Sequence, residues 1–312
     1  MKTFFFASLS LFLCMELIAQ NKETTILNDE ILIGKIKVIH EKYTCKNTTD
    51  SITYYFNEAG LLVSKESSLF SGGDKRAIYL YDNNNRKTKT IRYDEDEIQT
   101  DYIEYTYEDG NLTKHFYKHA KSTPKITRYF DYEITTHRYN KKGKIIETKK
   151  ILKQRMLKNE TLRNHILYQY DSIGNCIIKE RLDINGNIIE REYNEYADGR
   201  LTETFSWMIF EDEDLYTRDI YEYNEDTTTK SHTHIVYNYG STEEISSQWS
   251  EYYLYENKYD NHGKLVGEIK TTLQDGIIKK KSTWQYVSFD DFGNWTQKTV
   301  GNMIMNREIE YY

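Results

Sequence analysis

Hydrophobic and polar positions alternate in short runs along most of this chain. Tyr168, Gln169 and Tyr170 show the pattern, with two rings on one face of a strand and a polar side chain on the other. Each run ends in a cluster of Asp, Asn and Gly. The fullest copy is Tyr170-Asp171-Ser172-Ile173-Gly174-Asn175, and Tyr259-Asp260 to Gly263-Lys264 and Phe289-Asp290 to Gly293-Asn294 follow it closely. Tyr139-Asn140 to Gly143-Lys144 and Phe56-Asn57 to Gly60 carry Asn in place of Asp, and Leu182-Asp183 to Gly186-Asn187 loses the aromatic ring. The copies at Tyr107 to Gly110 and Tyr196 to Gly199 are one residue shorter, while Tyr81-Asp82 and Tyr223-Asn224 lack the glycine.

An Asp or Asn side chain accepts a hydrogen bond from the backbone two residues on, which starts a turn. Glycine three positions later takes the positive φ that closes a hairpin loop with a bulge. Asp171, Gly174, Asp183, Gly186, Asp260, Gly263, Asp290 and Gly293 are therefore expected to be structural turn residues. Weaker turn signals at Gly72 to Asp74, Asn83 to Asn85, Lys158 to Glu160, Glu211 to Asp214, Gly240-Ser241 and Gln274 to Gly276 fill the gaps. With them, reversals fall about every 11 to 20 residues, leaving strands of roughly 8 to 10. The pattern predicts an all-β fold, a long antiparallel meander of repeated hairpins. It would hold on the order of 20 strands in a rolled or solenoid-like sheet, because an open sheet that large curls or splits. Glu147 to His165 contains good helix formers, so helix is the alternative to a strand pair there. Residues 20–50 hold no repeat copy, only the apolar run Ile31 to Ile39, and are expected to form an N-terminal cap before a repeat domain at 51–312.

Composition supports strands. The 312 residues include 29 Tyr, 12 Phe and 4 Trp against a single Pro, and 29% are charged; aromatic and β-branched side chains suit a half-buried pleated surface. Residues 1–19 read as a secretory signal: Lys2, an apolar run from Phe4 to Met15, and Ala19 before the expected cleavage. The apolar run is too short for a spanning helix of about 20 residues. No transmembrane segment is expected in the mature chain, which would be exported to the periplasm, the outer surface or the medium. Leu13 before Cys14 disfavours a lipid anchor. A net charge of −7 disfavours nucleic acid, whose phosphates need clustered Lys and Arg. Cys45 and Cys176 either pair, as export permits, or remain free thiols.

Over about residues 54 to 300, the repeated Tyr-Asp-x-x-Gly-Asn hairpins resemble the RHS/YD repeats of bacterial surface and secreted proteins. The resemblance implies a β-sheet that spirals into a shell or strip and a role in attachment or carbohydrate binding. The chain stops at Glu308 to Tyr312 without a toxin-like domain, so no toxin cargo is expected.

Catalytic signatures are few. No Gly-x-Ser-x-Gly elbow, phosphate-binding glycine loop or His-Glu-x-x-His occurs, and no catalytic residue, cofactor or metal is assigned. His232-x-His234 would share a strand face, as in some metal sites, but surface histidines are the preferred reading because sequence fixes no third ligand. The i, i+4 pair His115 and His119 falls on a strand end, and Glu211 to Asp214 reads as a solvated acidic turn. The expected function is an exported, non-enzymatic binding or scaffold module with a cell-surface glycan or protein as partner. The alternative is a glycan-directed hydrolase with carboxylates on the concave face. Trp207, Trp249, Trp284 and Trp295 are the candidate ligand-binding rings, and Trp295 is expected to be partly exposed after Gly293-Asn294.

Overall fold

In the computed structural model of the chain, residues 24–27, 30–46, 48–68, 74–119, 130–154, 160–209, 214–224, 229–239, 245–259, 265–274 and 277–312 are described. They divide into two compact units, residues 1–100 with 284–312 and residues 101–283. The first unit opens with β1 (Thr24–Leu27), β2 (Glu30–Ile33), β3 (Ile36–Cys45), β4 (Thr48–Phe56), β5 (Leu62–Ser67), β6 (Arg76–Tyr81) and β7 (Lys87–Tyr93). The second begins within β8 (Gln99–Glu108) and holds β9 (Asn111–His119), β10 (Phe130–Tyr139), β11 (Ile145–Gln154), β12 (Glu160–Tyr170) and β13 (Cys176–Leu182). It continues with β14 (Ile188–Ala197), β15 (Arg200–Ile209), β16 (Asp214–Tyr223), β17 (Thr229–Tyr239), β18 (Ile245–Tyr259) and β19 (Leu265–Gln274). Through β20 (Ile277–Phe289) the chain returns to the first unit, which ends with β21 (Trp295–Val300) and β22 (Met303–Tyr311). The segment Glu147 to His165 contributes to two strands, β11 and β12.

The meander does not stay open. β22 pairs antiparallel with β3, from Met303 opposite Cys45 to Tyr311 opposite Ile36, so the hydrogen-bonded order of β3 to β22 is a closed barrel of twenty strands. The expected rolled or solenoid-like sheet is corrected by this one pairing. A strip leaves two rows of unpaired backbone groups, whereas joining the last strand to the first removes both edges. β3 lies inside residues 20–50 and is a full barrel strand, while β1 and β2 form a separate two-stranded sheet.

Local chemistry explains the turns. The Asp171 carboxylate accepts the backbone N–H groups of Ile173, Gly174 and Asn175 at 3.0, 2.7 and 2.8 Å, and Gly174 sits at φ 99°. Asp183 and Asp290 cap their turns in the same way, with Gly186 and Gly293 at φ 89° and 95°. Asn85 and Glu97 take the left-handed position where glycine is missing, after Asp82 and after Asp94, a turn not marked in the sequence reading. Asp109-Gly110 and Asp198-Gly199 are two-residue turns with both φ values positive, the type I′ geometry that matches strand twist. Asp260 and Gly263 lie outside the described residues.

Five of the hairpins also carry a tyrosine clamp. The ladder shifts register just before Tyr81, Tyr139, Tyr170, Tyr196 and Tyr223, and such a bulge re-aims the following side chain. Their hydroxyls donate to the carbonyls of Leu62, Leu112, Ile145, Cys176 and Leu201 at 2.7, 2.7, 2.7, 3.1 and 2.7 Å. Every acceptor is the first or second residue of the preceding strand.

The apolar core belongs to the first unit. Leu27 and Leu32 of the β1–β2 hairpin pack with Ile36, Ile39, Ile52, Tyr54 and Phe56, all buried. Gly34, between β2 and β3, must be glycine: it sits at φ 107°, and a Cβ there would stand 2.6 Å from the Tyr311 ring. In the second unit the buried side chains among the described residues are mainly polar, including Thr135, Thr204, Ser231 and Thr271, with Val236 and Ile269 as the apolar ones.

Tyr170→Phe removes one clamp without changing ring packing and should cost about 1 kcal/mol, the net worth of a typical hydrogen bond. A urea midpoint equal to that of wild type would show that the clamp is idle. A second expectation concerns Asp183, whose carboxyl is held below the usual carboxylate range by the Asn187 side-chain amide and then by the Asn187 backbone N–H. A depressed carboxylate contributes stability above its unfolded value of about 3.9, and loses it as pH falls through the folded value. The midpoint gap between wild type and Asp183→Asn should therefore narrow from about pH 6 to about pH 2. A gap constant over that range would refute the cap.

Candidate functional site

Register in the second unit brings six polar and aromatic side chains together on one face. Asp219 on β16 lies opposite His234 on β17, and Tyr221 lies opposite His232. On the other side of β17, Tyr253 of β18 faces His232 and Glu251 faces His234. Because side chains alternate with period two, all six project from the same side of the sheet. The Asp219 carboxylate oxygen Oδ1 bonds both imidazoles, at 2.6 Å to His232 Nε2 and 2.8 Å to His234 Nδ1. The His232 ring stacks between Tyr221 and Tyr253, with centroids 4.6 and 5.4 Å away. The Tyr253 hydroxyl donates to Glu251, and Lys270 sits 4.3 Å above the Tyr253 ring. Asp219, His232 and His234 keep 16%, 21% and 27% of their side-chain surface, so solvent reaches all three.

The same face continues across β15 to β9 as alternating charges and rings. Thr204, opposite Asp219, donates to Asn194 at 2.7 Å. Next come Lys179 with Glu192 at 3.1 Å and Arg181 with Glu190 at 2.7 Å. Asn164, Ile166, Lys179, Arg181 and Glu190 line a shallow depression there. Farther on, Lys150 pairs with Glu133 at 2.9 Å, and the rings of His115 and His137 lie 6.0 Å apart. The opposite face carries the apolar Ile178, Tyr193 and Phe205 in one row, together with the pairs Glu180–Arg191 and Glu203–Arg218 at 2.7 and 2.6 Å.

The four tryptophans do not form this site. Trp207, half-buried on β15 beside Tyr216, belongs to the opposite face, and its buried indole N–H has no hydrogen-bond partner among the described residues. Trp249 lies on β18 with its side chain outside the described residues, and Trp284 is half-buried on β20. Trp295 is corrected from partly exposed to buried, at 5% exposure. The Arg307 guanidinium lies 3.7 Å over its ring and is held there by bidentate bonds to Glu30 and by Glu41. The turn after Gly293 is occupied as well, because Asn294 exchanges two 2.7 Å bonds with the backbone of Ile33. Cys45 and Cys176 are free thiols. Sequence reasoning missed Asp219; the only available hint was an Asp between strand tyrosines, one meander step before His-x-His.

No protein-family profile matches the sequence, and no curated protein matches it. Among solved structures, the chain is similar to a porin-like protein from Bacteroides uniformis, with 11% identity and a TM-score of 0.36 over 88% of this chain and 96% of that one. The resemblance to RHS/YD repeats, with the repeat-family assignment, is therefore corrected: the strand order closes on itself where such a repeat sheet spirals. The expected absence of a transmembrane segment is corrected too. No helix among the described residues is long and apolar enough to cross a membrane, but that criterion says nothing of β-barrel membrane proteins, which cross with strands of about 9 to 11 residues.

Burial beneath a fully bonded guanidinium makes Trp295 a packing residue, and Trp295→Ala should cost about 3 kcal/mol or more. A thermal or urea midpoint within error of wild type would overturn that assignment.

Proposed function

We propose that the chain is an exported β-barrel of the cell envelope that binds polar, hydroxyl-rich solutes, oligosaccharides before other classes, and catalyses nothing. The observation that carries this reading is the face running from β9 to β18, where Tyr168, Tyr221 and Tyr253 alternate with fixed charges and amides. A tyrosine ring offers an apolar surface for a sugar ring and a hydroxyl beside it. Paired charges such as Lys179–Glu192 and Arg181–Glu190 hold donors and acceptors in place. Export is supported by the secretory pattern of residues 1–19, and an envelope setting by a strand order without free edges.

A hydrolase would use carboxylates on the same face, and the candidates there are engaged. Glu190 and Glu192 are ion-paired, Asp219 is held by two imidazoles, and Glu251 accepts from Tyr253. Retaining or inverting chemistry needs a pair of carboxyls free to act as general acid and as nucleophile or base, and these four are each held by a side-chain partner. Calorimetric titration of the mature chain with a panel of soluble oligosaccharides tests the proposal. Binding by at least one, weakened about tenfold or more by Tyr168→Ala in a folded variant, is the expected result, since tenfold corresponds to about 1.4 kcal/mol of lost stacking. Lack of binding across the panel, or cleavage of a polysaccharide that a single carboxylate substitution abolishes, would end this reading.

A further inference from the structure

We propose that Asp219, His232 and His234 form a binding site for a single divalent transition-metal ion of the zinc class, a property that does not depend on the solute-binding reading. The three ligand atoms come from two adjacent strands and lie within 4.8 Å of one another. Two imidazole nitrogens and one carboxylate oxygen form a donor set that zinc takes up at about 2.0 to 2.2 Å. Tetrahedral bonds of that length put ligand atoms about 3.4 Å apart. The present contacts of 2.6 and 2.8 Å converge on Asp219 Oδ1. Entry of the ion therefore lengthens the two contacts to Asp219 Oδ1 by less than about 1 Å, within the reach of a side-chain adjustment.

Three features favour a cation over a self-contained hydrogen-bonded trio. First, charge is unbalanced: among the described residues Asp219 has the two histidines as partners and no lysine or arginine, while Glu133, Glu190 and Glu192 on the same face each have one. A partly buried carboxylate without a lysine or arginine beside it is a place where a dication can supply positive charge. Second, the ligands are held in place. His232 is clamped between two tyrosine rings, and outer contacts that fix ring orientation are what metal-binding histidines require. Third, the way in is open, because all three side chains keep solvent-accessible surface. Glu251, opposite His234 and bonded by Tyr253, supplies further negative charge beside the site. Three protein ligands leave the fourth tetrahedral position for water.

The test uses the mature chain without an affinity tag, carrying Cys45→Ser and Cys176→Ser so that no thiolate binds zinc, and stripped with chelator. Zinc chloride is titrated by calorimetry, and cobalt chloride by visible absorption. The expected result is one equivalent of zinc and a cobalt spectrum with intense tetrahedral bands. Affinity should fall at least about tenfold in Asp219→Asn and in His232→Gln, but stay unchanged in His115→Gln, which alters the other histidine pair of this unit. Far-UV circular dichroism and the thermal midpoint establish that each variant folds. Should the site variants not fold, the wild type decides by itself: zinc must protect two histidines from diethylpyrocarbonate, identified by peptide mass mapping as His232 and His234. Absence of stoichiometric binding, equal loss in His115→Gln, undiminished affinity in folded Asp219→Asn, or protection of other histidines would each overturn the proposal.

Discussion

A bulge, a side-chain-capped turn and a tyrosine hydroxyl act as one unit, and the rest of the sheet depends on it. An antiparallel ladder alone fixes strand spacing but leaves register open to slippage. Here the turn sets register at one point, and the bulge before it turns the next ring toward the preceding strand. The hydroxyl of Tyr170 then meets the carbonyl of Ile145, beyond the last rung of the ladder between their strands. That carbonyl would otherwise be unpaired at the sheet margin, so the ring satisfies a backbone acceptor while locking two hairpins together. Repetition at Tyr139, Tyr196 and Tyr223 ties β10 to β9, β14 to β13 and β16 to β15 in the same way, the last of which fixes the face on which Asp219 of β16 stands.

The two units solve the problem of burial differently. In the first, an N-terminal hairpin brings Leu27 and Leu32 onto Ile39, Ile52 and Tyr54, and apolar burial holds the strands. Arg307 crosses this region buried, a costly position made tolerable by two carboxylates and an aromatic face. In the second unit no comparable apolar cluster is found among the described residues. Ladder hydrogen bonds, clamps and cross-strand ion pairs take its place, and exposed pairs contribute at most about 1 kcal/mol each. A face assembled from such pairs remains hydrated and keeps its polar atoms available, the condition for meeting a polar solute or an ion.

Legibility in the sequence followed the range of the interactions. The Asp171 turn and its glycine were readable because the whole device spans five residues. Strand content and hairpin order were readable from alternation. Closure was not, since it rests on β3 and β22 recognising each other across nearly the entire chain, and β3 carries no repeat copy. Trp295 shows the same limit. Its place after a turn suggested exposure, but Arg307 from the neighbouring hairpin strand covers it, and the Glu30 and Glu41 that fix Arg307 lie more than two hundred residues away. The borrowed expectation of a spiral strip failed for a related reason: the hairpin motif specifies how strands turn and leaves open whether the first and last meet.

His232 and His234 mark the border between those ranges. Their shared face followed from period two alone, but a ligand set needs a third atom, and that came from a register across the connection from β16 to β17. A slip of one residue there would turn Asp219 to the opposite face and bring Arg218 and Ile220 onto the face of the two imidazoles, which would lose their shared carboxylate. The clamp at Tyr223, which ends β16 and bonds Leu201 at 2.7 Å, opposes that slip. The hydroxyl that satisfies one backbone carbonyl at the margin of the sheet thus also decides whether a carboxylate stands between two histidines several residues away.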